Sequence, residues 1–70
     1  MKQLNIRSER IKRGWTLEYV GLQVGLLKTT IYSLETGKSK PSYNVLVKLE
    51  DLFQMPHREL FAEIHENNLS

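Results

Sequence analysis

The chain has no cysteine, which excludes disulfides and thiolate metal sites and makes a reducing setting the expectation. No apolar run reaches the roughly 18 residues that read as a membrane-crossing helix. The first residues, M-K-Q-L-N-I-R-S-E, lack the apolar core of a secretory signal. A cytoplasmic chain with no membrane partner is therefore expected. Alternation of strand period, internal repeats and low-complexity segments are all missing. So are a glycine-rich phosphate loop and a nucleophile–base pair. His57 and His65 stand about 80° apart around a helix, and with Glu59, Glu63 and Glu66 nearby they still form no metal triad. They read as surface histidines. A 70-residue chain is also too small for a deep pocket. No catalytic residue, metal or cofactor is expected, and the chain is not read as an enzyme.

What is present is unevenly distributed. Residues 1–40 carry eight basic side chains (Lys2, Arg7, Arg10, Lys12, Arg13, Lys28, Lys38, Lys40) against Glu9, Glu18 and Glu35, whereas residues 41–70 carry two bases against five acids. The net charge of +2 thus hides a basic half and an acidic half. That asymmetry is a footprint of a nucleic-acid binder whose basic half faces phosphate.

The stretch Val20 to Gly37, V-G-L-Q-V-G-L-L-K-T-T-I-Y-S-L-E-T-G, organises the rest. Val20 and Val24 lie one helical turn apart, and Ile31 and Leu34 share one face of a second helix. Gly25 takes a positive φ without steric cost, so it ends the first helix and turns the chain sharply; Gly37 ends the second. Helix, tight glycine turn and helix make a helix-turn-helix unit. Gly21 costs its helix about 1 kcal/mol relative to alanine, which points to close packing against the second helix.

The flanking segments read as three more helices. The first runs over residues 5–13, with Ile6 and Ile11 inward and Arg7, Lys12 and Arg13 outward, and stops at Gly14. Trp15 reads as a core plug between the first two helices. Thr16 caps the second helix, 17–24, and Glu18 suits its first turn. The third is expected over 28–36, where Leu27 at the cap position has no acceptor for the free N–H groups. After the basic loop Lys38-Ser39-Lys40-Pro41, Ser42 caps a fourth helix, 43–53, with Val45 or Leu46, Leu49, Leu52 and Phe53 as its apolar face. Gln54-Met55-Pro56 breaks the chain, and a fifth helix is expected from about His57 to Glu66 with Leu60, Phe61 and Ile64 inward. The fold class is all-α, a compact five-helix domain spanning 1–70 with its core in 4–65.

The segments R-I-K-R-G-W-T-L-E-Y-V-G-L-Q-V-G, I-Y-S-L-E-T-G-K-S-K-P-S and L-V-K-L-E-D-L-F resemble the lambda-repressor-like (XRE-type) helix-turn-helix family of phage and bacterial repressors. The most specific part is the I-x-x-L-E-x-G-x-x-x-P-S run after a glycine-turned helix pair. The resemblance implies that the second helix braces on the DNA backbone while the third enters the major groove, whose width of about 12 Å admits one α-helix.

Carried over by position, the resemblance implies base reading by Lys28, Thr29, Tyr32 and Ser33. Lysine donates to guanine O6/N7, and the threonine methyl suits the thymine methyl. Thr16, Lys38, Ser39, Lys40 and Tyr43 match positions where the family meets phosphate, and Leu17 stands on the same side where the family often has glutamine. Arg10 and Glu35 match a structural salt bridge between the first helix and the end of the third. Leu17 and Leu27 depart from the family pattern, leaving apolar residues where polar ones normally anchor docking.

The leading expectation is a sequence-specific regulator of transcription. It is read as a phage- or prophage-type repressor that binds double-stranded DNA as a homodimer on a pseudo-palindromic operator. Met55, Pro56 and Phe61 read first as core and otherwise as the candidate dimer surface, and a separate protein regulator is a further expected partner. The competing expectation is a protein-interaction module, an antitoxin or anti-repressor target, using the apolar surface around Leu17 and Leu27. Steep weakening by salt separates phosphate binding from an apolar interface.

Overall fold

The computed structural model describes residues 3–64. Five helices follow in order: α1 (Asn5–Lys12), α2 (Leu17–Val24), α3 (Lys28–Glu35), α4 (Tyr43–Phe53) and α5 (His57–Leu60). Their inward faces meet in one cluster of Leu4, Ile6, Val20, Val24, Ile31, Leu34, Leu49, Phe53 and Leu60, with Val45, Leu52, Met55 and Phe61 packed around it.

Helix α1 has little apolar character, and only Ile6 among its residues is fully buried. Ile11, expected inward, is 50% exposed. Five residues from Ile6 is a rotation of about 140°, which carries Ile11 off the buried face. The inward position one turn after Ile6 belongs to Arg10, whose guanidinium reaches into the domain. Gly14 ends the segment at φ +72°. Trp15 follows, half-buried against the core. Its ring lies 5.2 Å from that of Tyr19 and edge-on to Phe53 at 5.3 Å, while the Arg13 guanidinium covers the rings of both Trp15 and Phe53. The plug therefore ties α2 to α4 as well.

The caps follow the local chemistry. Thr16 Oγ1 accepts from the Tyr19 N–H at 2.9 Å, and Ser42 Oγ accepts from the Val45 N–H at 3.3 Å. Helix α3 begins on Leu27 with no side-chain cap bond, and ends at Thr36, whose hydroxyl donates to the Tyr32 carbonyl. Helix α4 ends on Gln54, held in the left-handed region at φ +57°.

The fifth helix departs from expectation. It is a single turn, and the chain leaves it at Phe61 and runs extended beside the N-terminal segment. Leu4 and Glu63 form an antiparallel bridge, Asn5 N–H donates to the Ala62 carbonyl at 2.8 Å, and Ile64 N–H donates to the Gln3 carbonyl at 3.0 Å. The first of these bonds satisfies the Asn5 amide that opens α1, whose cap residue Leu4 offers no side-chain acceptor. Backbone pairing with a segment nearly sixty residues away wins over one more helical turn. The expected continuation through residues 65 and 66 lies outside the described residues.

Candidate nucleic-acid interface

The geometry of the α2–α3 pair begins with two glycines. Gly25 closes α2 at φ +77°. Gly21 is buried, and a Cβ there would run into the carbonyl oxygen of Leu26. The close approach is thus to the backbone of the turn rather than to the face of α3. The Leu26 N–H donates to the Gly21 carbonyl at 2.8 Å, so the turn is bonded back onto the helix it follows.

This fixes the rotation of α3. Ile31, Leu34 and Glu35 are buried. Lys28, Thr29 and Tyr32 are exposed and Ser33 is half-buried, and together they span an arc of about 140° away from Ile31 and Leu34. The four residues predicted to read bases therefore lie on one outward strip. Lys28 Nζ stands 3.8 Å from a Glu18 carboxylate oxygen, with both side chains largely exposed. Exposed pairs of this kind contribute about 0–1 kcal/mol, so Lys28 can leave Glu18 at little cost.

The predicted phosphate-side residues divide. Lys38, Ser39 and Lys40 are exposed in a loop whose first two amides donate to the Ser33 carbonyl, which holds the loop against the end of α3. Tyr43 opens α4 and is 78% exposed. Thr16 is exposed, with its hydroxyl oxygen already accepting the Tyr19 amide. Leu17 is half-buried and packed against the core. The apolar surface expected around Leu17 and Leu27 is accordingly displaced. Leu27 is 73% exposed, and its exposed apolar neighbour is Leu22 at 79%. Leu22, Leu26 and Leu27 line one open depression with Glu18, Lys28 and Thr29. Sequence reasoning missed Leu22. Its signal was a leucine two positions after Val20, which helical geometry turns away from the buried face.

Behind the strip, Glu35 and Arg10 make a two-pronged ion pair, Nε to Oε2 at 2.7 Å and Nη2 to Oε1 at 3.3 Å. Arg10 also donates to the Trp15 carbonyl at 2.8 Å. Two carboxylates elsewhere are held below their ordinary range. Glu9 is lowered by hydrogen bonds from Arg13 and then Lys12, and Glu50 by the His57 backbone N–H and then its ring. Met55 and Phe61 are packed partly against the core and Pro56 is exposed. Among the described residues no group of three His, Asp or Glu side chains could hold a metal ion, and no helix is long and apolar enough to cross a membrane.

Comparison with known proteins agrees with this arrangement. A family model described as helix-turn-helix matches residues 6–60. The chain is 37% identical over 53 residues to the HTH-type transcriptional regulator AnsR of Bacillus subtilis, an alignment covering 76% of this chain and 46% of that protein. It is 38% identical over 56 residues to an uncharacterized HTH-type transcriptional regulator of Archaeoglobus fulgidus, covering 80% of each. The chain thus spans about half the length of the first relative and most of the second. No solved structure matches.

Proposed function

The chain belongs to the helix-turn-helix family of the lambda-repressor-like (XRE) type, and on that premise we propose that it is a transcriptional regulator that reads double-stranded DNA with α3 in the major groove. The observation that carries this reading is the outward strip of Lys28, Thr29, Tyr32 and Ser33 on a helix whose rotation is fixed by Gly21 and Gly25. Lys38, Ser39, Lys40 and Tyr43, exposed beyond the end of α3, supply the phosphate side. Those contacts position the protein, and base edges specify the site.

One module of this size buries too little surface for tight site selection, and two copies on half-sites about one helical turn apart remove the difficulty. The finer reading is therefore a repressor of phage or prophage type, dimeric on a pseudo-palindromic operator. The exposure of Leu22 and Leu27 favours a second reading, a protein-docking module. Selection from a randomised duplex library at two salt concentrations separates them. Enrichment of a two-fold site, weakened steeply by salt and lost on Lys28→Ala or Ser33→Ala, supports the regulator. A folded protein that enriches nothing overturns it.

A further inference from the structure

Neither of the folding terms that usually explain a leucine applies to Leu27. It is 73% exposed, so it buries little, and it occupies the cap of α3, where serine or threonine would hold a free amide and leucine holds none. A single exposed leucine is ordinary on a protein surface. Leu27, however, shares one depression with Leu22 and Leu26, and Lys28 and Thr29 line the same depression.

We infer that Leu27 is itself a base-reading residue and takes the 5-methyl group of thymine, with Leu22 and Leu26 walling the depression on the α2 side. The inference rests on the DNA-binding reading above. In the major groove the thymine methyl is the apolar feature among donor and acceptor edges, and side chains without polar atoms select it by contact. The first residues of a recognition helix are those that reach base edges, and Leu27 directly precedes Lys28 and Thr29. The depression carries one cation and one anion, Lys28 and Glu18, loosely paired at 3.8 Å, so Lys28 can turn to a polyanion, and Lys38 and Lys40 are exposed in the loop after α3. A protein seated in the depression would instead cover Lys28 and Thr29.

The test uses a duplex selected by the whole chain, in which each thymine is replaced in turn by uracil, the same base without the methyl. Burying one methyl is worth about a fourfold change in affinity. Wild type is expected to lose about fourfold per half-site at one symmetric position, and Leu27→Ser to bind the thymine and uracil duplexes equally there. Leu27→Ser gains a cap, so its melting temperature is expected to match or exceed that of wild type, which separates lost reading from lost folding. If the duplex is selected but no uracil matters, or Leu27→Ser keeps the sensitivity, the inference is overturned while the DNA-binding reading stands. The depression then belongs to a protein partner. If the folded chain selects no duplex, both fall together.

Discussion

The carboxylate of Glu35 is 1% exposed and is gripped by the guanidinium of Arg10, twenty-five positions earlier in the chain. The pair joins the start of the domain to the end of the helix proposed to read DNA. The backbone carbonyl of the same Glu35 accepts the Leu4 amide at 3.0 Å, so α3 is tied to the N-terminal segment through both side chain and main chain.

Removing one partner of such a pair strands a nearly buried charge. Glu35→Ala is expected to cost about 3–5 kcal/mol, a large share of the stability of a domain this size. Glu18→Ala, at the exposed partner of Lys28, is expected to stay within about 0.5 kcal/mol. Thermal melts of the two variants check this, and equal melting temperatures would count against it. The double variant Arg10→Met/Glu35→Leu is expected to recover much of the loss, because the stranded charge is gone.

Gly21→Ala brings a methyl against the Leu26 carbonyl, and backbone cannot step aside as a flexible side chain would. Overpacking of this kind costs about 1–3 kcal/mol, more than the roughly 1 kcal/mol that alanine returns in helix propensity. The variant is expected to melt lower than wild type and, by shifting α3, to lose DNA affinity beyond what its stability explains. A higher melting temperature would refute the close approach.

Gln54 ends α4 in a left-handed conformation that costs a non-glycine residue about 1 kcal/mol. Gln54→Gly relieves this and gives up the bond from its side chain to the Asp51 carbonyl. A net gain of about 0.5 kcal/mol is expected, a rise of about 2–4 °C on thermal melting.

Acid should weaken the fold through two named carboxylates. Glu9 and Glu50 are held below the ordinary value of 4.5, so they favour the folded state above that value and lose their contribution as pH falls through their lower folded values. Stability measured across this range is expected to decline on the acid side. Glu9→Gln and Glu50→Gln should each flatten that decline.

If Lys38 and Lys40 meet phosphate, replacing either by alanine should weaken binding to all duplexes alike and lower the salt slope by about one. Thr29→Ala should instead change which sequence is selected and leave the slope unchanged. Titrations of a selected and a scrambled duplex at several salt concentrations distinguish the two effects.

Local chemistry made much of this legible in the sequence. Gly25, Thr16 and Ser42 announce turn and caps through properties of single residues, and the rotation of α3 follows from the spacing of Ile31 and Leu34. What the sequence concealed was nonlocal or rotational. The short α5 comes from pairing between residues 3–5 and 62–64, which no window along the chain contains. Ile11 looked apolar enough for the core, but the position one turn after Ile6 goes to Arg10. Leu17 and Leu22 differ only in their angle around α2, and that angle decides which one packs inward and which one faces out.

The antiparallel pairing of residues 3–5 with 62–64 also sets how the domain can be wired. The described chain enters and leaves at adjoining points, so it behaves as a loop pinched at its base. A short linker across that base could close the ring. By the same topology the domain could be spliced into a surface loop of another protein, both of its attachments arising from one spot.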